Sequence, residues 1–227
     1  MSLILSLETT TKVCSVALYD SDTLLTETSL SIEKAHSQFL ASLVDSTFKY
    51  SHQNKSALSA VAISSGPGSY TGLRIGTSFA KGICFSMNIP LISINTLDGM
   101  IQLVKRENEK ILYCPMLDAR RMEVYCKVEN DDGIQVEDTH ARIIEENSFL
   151  DLLDKNVILF FGDGSAKCKS ILNHKNARFQ DKFQISAKGI GELAYSKFEN
   201  EEFEDVAYFE PFYLKEYKAG KPKPLIA

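Results

Sequence analysis

The sequence predicts an α/β protein of two lobes. Three β-rich runs open the chain, LILSLETT, VCSVALYD and TLLTETSLS, with short polar turns between them. Helical and strand-like segments then alternate, beginning with the amphipathic AHSQFLASLVDSTFKYS and the apolar AVAISS. A meander followed by such an alternation is typical of mixed sheets flanked by helices. The length of 227 residues allows one large domain or two small ones.

The elements of the first half follow one another in a clear order. Apolar residues at helical spacing mark the first helix: Phe39, Leu40, Leu43, Val44 and Phe48. AVAISS is a short strand, and a second helix runs from about Gly72 to Met87, where Asn88-Ile89-Pro90 ends it. PLISIN is the next strand, after which Thr96 can cap a third helix. This order matches the ribonuclease-H-like half-domain of actin, Hsp70 and the sugar kinases, an analogy that predicts fold and not function.

The second half is less regular. ILYCPMLDA and RMEVYCKVE are expected to pair as strands, and NSFLDLLDK to form a short helix capped by Asn147 or Ser148. NVILFF is expected to be a buried strand ending in the turn GDGS, SAKGIGELAYSKFEN a helix, and YFEPFYLKEY a last strand. We therefore predict an N-terminal lobe over residues 1–107, a smaller α/β lobe over 108–217, and a flexible tail over 218–227.

Composition narrows the classes of function. A net charge of −5 and a pI near 5.5 give no general attraction to nucleic acid or to an anionic membrane. Five cysteines without a C-x-x-C pair argue against a disulfide framework or a zinc knuckle. The N-terminus lacks the basic region of a signal peptide, and no apolar run approaches the length of a membrane span. We expect a cytoplasmic protein.

The stretch SSGPGSYTGLRIGTSFAKG, residues 64–82, resembles a phosphate-binding loop at first sight. It fits neither G-x-x-x-x-G-K-[ST] nor G-x-G-x-x-G, although its amides could still meet an anion at a helix N-terminus. Gly72, Gly76 and Ala80 share one helix face, which predicts close packing against another element. That element is either part of this chain, which makes the helix a core helix, or a second polypeptide.

Several motifs together carry a specific resemblance. They are SSGPGSYTGLRIGTSFAKGI, LSLETTTKVCSVALYD, HSQ at 36–38, LDARRMEVY at 117–125 and PFYLKEY near the end. In this order they resemble the bacterial TsaB family, whose older name is YeaZ. The resemblance implies a non-catalytic subunit in the synthesis of N6-threonylcarbamoyladenosine (t6A) in tRNA. It also implies a heterodimer with the catalytic homologue TsaD, joined by the ATPase TsaE, with tRNA reached only through the complex.

The resemblance further implies that the first two helices form the interface, either with TsaD or with a second copy of the chain. We predict that the glycine-lined face of the second helix is docked there, and Thr47 is a further candidate. The predicted interface residues are His36, Phe39, Leu40, Leu43, Leu73, Gly76, Thr77, Ala80 and Ile83.

The residues at the expected catalytic positions indicate a scaffold. The catalytic relative is expected to hold a metal with two histidines four apart, whereas this chain has His36 followed by Leu40. Glu8-Thr9-Thr10-Thr11 stands where actin-like kinases carry an Asp-x-Gly turn, which weakens a nucleotide site. We expect no metal and no cofactor. A nucleotide-binding kinase or ATPase of actin-like fold, and an M22-type metalloprotease, are the alternatives.

Charged residues at two places leave their role open. Asp118, Arg120 and Arg121 could bind an anion, contact a partner, or form a local ion pair that fixes a hairpin. Four lysines near the C-terminus could approach the tRNA backbone or remain solvated: Lys215, Lys218, Lys221 and Lys223.

Overall fold

The computed structural model describes residues 2–32, 35–104 and 110–215. Within these ranges the chain forms two five-stranded mixed sheets with helices packed against them. The first sheet has the order β3-β2-β1-β4-β5. Its strands are β1 (Leu3–Glu8), β2 (Val13–Asp20), β3 (Thr23–Ser31), β4 (Leu58–Gly66) and β5 (Leu91–Asn95). β1, β2 and β3 pair antiparallel, while β4 pairs parallel with β1 and with β5, so the predicted meander is confirmed.

Helices cover both faces of the first sheet. Alternate residues of each strand point to opposite faces, and in β1 the leucines Leu3, Leu5 and Leu7 face α1 (Ala35–Ser51) and α2 (Tyr70–Met87). Ile4 lies in a separate cluster together with α6 (Ala187–Glu199). Burial on two sides explains why β1 and β2 are apolar almost throughout.

The second sheet repeats the connectivity of the first. Its order is β10-β9-β6-β7-β8, formed by β6 (Ile111–Asp118), β7 (Glu123–Asn130), β8 (Gln135–Ile143), β9 (Val157–Phe161) and β10 (Ala177–Phe179). β6, β7 and β8 form an antiparallel meander, and β6, β9 and β10 are parallel. α4 (Leu150–Leu153) and α5 (Ser165–Cys168) contribute to its core. The two halves therefore share one ribonuclease-H-like topology, although the sequence shows no internal repeat.

A fourth cluster of apolar residues joins the two sheets around α3 (Thr96–Gln102). Met100 and Ile101 of α3 pack there with Tyr113 and Leu117 of β6. α3 begins one residue earlier than expected, because the side chain of Asn95 accepts the amide hydrogen of Leu97 and caps the helix. The hydroxyl of Thr96, the predicted cap, instead accepts a hydrogen bond from the amide of Gly66.

Several predictions for the second half need correction. YFEPFYLKEY is not a strand over its described part; residues 208–215 run along the first sheet in irregular conformation. Pro211 lacks the amide hydrogen that a strand ladder requires. The amide of Phe212 donates a single backbone hydrogen bond, to the carbonyl of Ser65 at 2.7 Å. α4 is capped at Phe149, and neither Asn147 nor Ser148 holds that position.

The helix α6 also departs from the simple two-lobe division. The prediction assigned it to the lobe spanning 108–217, but it packs on the first sheet, where the hydroxyl of Tyr19 donates to the carbonyl of Lys188. The division into domains stays a prediction. Its boundary near residue 107 and the tail over 218–227 lie outside the described residues. Among the described residues, no helix combines the length and apolar character needed to cross a bilayer.

Candidate functional site

The glycines before and within α2 pack against the turn that joins β1 to β2. A Cβ placed on Gly72 would lie 1.9 Å from the carbonyl oxygen of Thr9, and one on Gly76 would lie 2.3 Å from the Thr9 hydroxyl oxygen. A Cβ on Gly68 would lie 2.4 Å from the Cβ of Thr10. Distances this short exclude any side chain, so these glycines let α2 approach the chain's own first turn.

The N-terminus of α2 is engaged by the same turn. The amide of Ser69 donates to the carbonyl of Thr10 at 2.6 Å, and the Ser69 hydroxyl accepts from the amide of Gly72 at 3.3 Å. These contacts use amides that a phosphate-binding helix would direct at its ligand. The arrangement favours packing over anion binding as the reason for the glycine-rich stretch.

The expectation that the glycine-lined face of α2 is open to a partner is wrong. Leu73, Gly76, Thr77 and Ala80 are buried within the chain, because the small residues let α2 settle closely onto β1 and β4. Leu40, Leu43 and Thr47 of α1 are buried in the same way. The opposite face of α2, here named the exposed strip, is exposed at six positions: Thr71, Arg74, Ser78, Gly82, Phe85 and Ser86.

Three of the predicted interface residues are partly accessible. His36, Phe39 and Ile83 are intermediate in exposure, and Ile83 packs at the margin of the core. The Nε2 atom of His36 lies 2.8 Å from the carbonyl oxygen of Thr11, which ties α1 to the β1–β2 turn. Within the described ranges, no group of three His, Cys, Asp or Glu side chains is placed to hold a metal ion.

Glu8 is a fully buried carboxyl group at the end of β1. Burial raises its pKa to about 7, although the hydroxyl and the amide of Thr10 donate hydrogen bonds that oppose this rise. Both bonds end on Oε1, whereas Oε2 is buried without a hydrogen-bond partner in the described part of the chain. Glu8 is therefore shielded from solvent and bonded locally to the first turn.

The turn between β6 and β7 is the counterpart of this first turn in the second sheet. Here Asp118 accepts the amide hydrogen of Arg120 at 2.9 Å and also contacts the ammonium of Lys167. Burial alone would raise the pKa of Asp118, but these two donors hold it below its ordinary value. The structure thus brings Asp118 together with Lys167, a residue that the sequence did not single out, and leaves both arginine side chains exposed.

Comparison with known proteins identifies the family. A family model described as "TsaD: tRNA N6-adenosine threonylcarbamoyltransferase" matches residues 24–222. The chain belongs to this family. Its curated relatives include the tRNA threonylcarbamoyladenosine biosynthesis proteins TsaB of Escherichia coli K12 and Bacillus subtilis 168. They are 34% and 32% identical to it, each over 122 residues, covering 54% of this chain and 52% of the relative. The chain thus spans about half the length of the curated relatives it matches.

Solved structures agree in fold. One is described as an uncharacterized protein with similarity to peptidase YEAZ from Pseudomonas aeruginosa. It superposes with a TM-score of 0.83 at 23% identity, over 95% of this chain and 100% of that one. YeaZ from Pseudomonas aeruginosa superposes with a TM-score of 0.78 at 22% identity, over 94% and 100% of the two chains. The predicted membership in the TsaB (YeaZ) group and the predicted actin-like, ribonuclease-H-like fold are confirmed.

One titratable cluster of this TsaB relative was not anticipated from the sequence. Cys126 of β7 is paired across the strands with His140 of β8, and its Sγ lies 3.8 Å from the Nε2 of His140. Hydrogen bonds from the Cys114 thiol and from His140 lower the pKa of Cys126, and Cys126 raises that of His140 to about 9. Only strand register could have revealed the cluster, because fourteen residues separate Cys126 from His140.

Proposed function

We propose that this chain is a non-catalytic dimerisation subunit of the t6A synthesis machinery, which pairs with a TsaD-type transferase and keeps it active. Membership in the TsaD family and the names of the TsaB relatives support the pathway. In this proposal TsaE joins the pair, the isolated chain can form a homodimer, and tRNA is reached only within the complex. The cell compartment is then the cytoplasm, where tRNA is modified.

The exposed strip of α2 is the observation on which the proposal rests. Phe85 is 85% exposed, although the helix that carries it is embedded along its other faces. Burial of a phenylalanine side chain contributes about 1.5–3 kcal/mol, so an exposed one next to a core is a strong candidate for an interface anchor. Its position on the second helix agrees with the interface that the TsaB resemblance implies.

Gly82, one turn before Phe85, supports the same surface. A Cβ placed on Gly82 would meet no atom within 4 Å, so the chain itself does not require glycine there. Glycine inside a helix costs about 0.8–1 kcal/mol relative to alanine. The missing side chain allows another helix to approach α2 closely on its exposed side. We therefore move the predicted docking face from Gly76 and Ala80 to Gly82 and Phe85, with Phe39 and Ile83 at its margin.

A scaffolding role is also supported at the two positions where catalytic groups would be needed. Leu40 is buried in the core at the position where a second metal-binding histidine would be needed. The first turn, where an actin-like kinase would hold phosphate, is occupied by contacts from Gly68 and Gly72.

Co-expression with the TsaD of the same organism tests the proposal. A tagged chain should retain TsaD. Phe85→Asp should weaken the pairing at least about tenfold, because the variant loses the more than about 1.4 kcal/mol of binding free energy that burial of Phe85 contributes. Tyr208→Asp is the matched control, because Tyr208 is also 85% exposed but lies on the segment after α6.

Retention of TsaD by both variants at the wild-type level would contradict the proposed interface. Failure of the wild-type chain to raise t6A formation by its TsaD would contradict the proposed function itself.

A further inference from the structure

The β6–β7 connection, residues 118–123 and here named the arginine turn, has an unfavourable backbone. Arg120 and Arg121 have φ angles of 67° and 51°, two consecutive residues in the region that favours glycine. This backbone conformation is energetically unfavourable for a residue with a Cβ, and it persists where surrounding contacts hold the residue in place. The chain therefore keeps two arginines where glycine or asparagine would be easier to accommodate.

Side chains from β6, from the loop before α5 and from α5 itself hold this turn in place. The carboxylate of Asp118 accepts the amide hydrogen of Arg120, and that of Asp163 accepts the amide hydrogen of Asp118 at 3.0 Å. Lys167 of α5 donates to the carbonyls of Arg121 and Glu123, at 2.7 Å each. The ammonium group of Lys167 thus stabilises the backbone of the turn through hydrogen bonds. The arginine side chains do not contribute to this stabilisation.

The two arginine side chains lie at the protein surface. Both residues are exposed, and within residues 2–32, 35–104 and 110–215 neither guanidinium has a hydrogen-bond or ion-pair partner. A local ion pair that fixes the hairpin was one interpretation of Asp118, Arg120 and Arg121. The structure gives that role to Lys167 and leaves the arginines available for a ligand outside this chain.

Cations and aromatic rings continue from the arginine turn towards α2. Lys215 contacts the carboxylate of Glu123, and its Nζ lies 6.0 Å from the centroid of the Tyr125 ring. Two residues earlier, Tyr213 packs against Tyr70 of α2 with ring centroids 5.0 Å apart. The guanidinium of Arg74 lies 4.2 Å from the centroid of the Tyr70 ring. This surface is continuous with the exposed strip of α2 at which we place the transferase.

We propose that the arginine turn binds the phosphate backbone of the RNA on which the complex acts, an inference that rests on the proposed function. Neighbouring guanidinium groups suit phosphate oxygens, to which arginine can donate two hydrogen bonds at once. Tyrosine rings beside cations are typical of surfaces that meet unpaired nucleotides. A chain with a net charge of −5 has no general affinity for a polyanion, so a contact of this kind has to be local.

A titration of fluorescein-labelled, unmodified tRNA transcript with the co-purified complex tests this contact. The variant is Arg120→Gly with Arg121→Gly, which suits the positive φ angles and is expected to keep the melting temperature at or above that of the wild type. Each lost phosphate contact changes log K by about 0.7 per decade of salt. The double variant should therefore bind about twentyfold more weakly at ~0.1 M salt, with a salt slope shallower by about 1.4.

The matched control removes the same charge from the same half of the chain. Lys155→Ala with Lys182→Ala alters two exposed lysines outside the arginine turn and should leave the affinity and the salt slope unchanged. Arg120→Lys with Arg121→Lys should keep most of the slope, because the charges remain. An unchanged affinity in the glycine variant would overturn the proposal, and so would an equal loss in the lysine control.

Two further outcomes separate this proposal from the proposed function. Loss of TsaD from the glycine variant would show that the arginine turn contacts protein, which overturns RNA binding and leaves the scaffolding role intact. If the wild-type chain does not pair with TsaD, the titration is made with the chain alone at ~0.05 M salt. RNA binding that depends on Arg120 and Arg121 would then support the contact, and its absence would overturn it.

Discussion

The ammonium nitrogen of Lys127 in β7 lies 2.6 Å from a carboxylate oxygen of Asp98 in α3, and 3.1 Å from one of Glu129. The Lys127 side chain is only 6% exposed. Burial alone would lower its pKa, but hydrogen bonds and charge from the two carboxylates raise the pKa above its ordinary value. This contact is a polar link between the second sheet and the helix that packs between the two sheets.

Replacing Lys127 with methionine should lower the free energy of unfolding by about 2–3 kcal/mol, because two carboxylates lose their buried counter-ion. This loss is smaller than for a fully buried ion pair, because Asp98 is partly exposed and can be hydrated. Urea unfolding measures the change, with exposed Lys155→Met as control, expected to lie within about 0.5 kcal/mol of the wild type. Equal stabilities for the two variants would show that the link contributes little.

Gly72→Ala should destabilise the chain by about 3 kcal/mol, since its Cβ would overlap the carbonyl oxygen of Thr9. Gly82→Ala on the same helix should stabilise it by about 0.5–1 kcal/mol, because the new methyl group meets open space. Thermal unfolding of both variants tests this contrast. A destabilised Gly82→Ala would contradict the orientation of α2 described above, and so would a neutral Gly72→Ala.

Stability should fall as pH rises because of Glu8. Its pKa is raised from 4.5 to about 7 in the folded chain, so the folded state holds a proton that the unfolded state has already lost between these values. The free energy of unfolding should therefore decrease by roughly 3 kcal/mol from pH 4.5 to pH 7 and level off above it.

The Glu8→Gln variant should lose this part of the pH dependence, as seen by urea unfolding at pH 5, 6, 7 and 8. Glu146→Gln, at an exposed position, is the control and should keep the wild-type profile. A profile for Glu8→Gln that parallels the wild type would place the titrating group elsewhere.

The isolated chain should bind ATP·Mg²⁺ only weakly, with a dissociation constant above about 1 mM, corresponding to a binding free energy weaker than about −4 kcal/mol. The amides at the start of α2 and the first turn bind each other at the place where an actin-like kinase would hold phosphate. Isothermal titration calorimetry measures this directly. Micromolar affinity would favour the kinase or ATPase alternative over the scaffold.

The sequence predicts those parts of the fold whose signal is local. The first meander, the strand before the glycine-rich stretch, and the helices α1, α2 and α6 follow from periodicity and breakers. β8 and β10 were missed because their signal is weak: β8 alternates few apolar residues, and β10 has only three residues. The aromatic residues of YFEPFYLKEY predict a strand, but Pro211 removes an amide that a ladder would need.

The site was predictable only in part, because helix periodicity shows which residues share a face but not which way that face points. Gly72, Gly76 and Ala80 were correctly placed together, yet the partner of that face is Thr9 of the same chain. Phe85 and Gly82 attract notice only once their exposure is known. In the same way, Cys126 and His140 become neighbours through strand register alone.

The position of α6 has a consequence for biosynthesis. The amide of Ala187 donates to the hydroxyl of Ser15, and a Cβ on Gly191 would lie 2.1 Å from the Tyr19 ring, so residues near the end of the chain complete the environment of its beginning. Until α6 has been translated, the first sheet therefore keeps one apolar face exposed to solvent. Nascent chains shortened before residue 187 should bind trigger-type chaperones, and release from them should coincide with the emergence of α6.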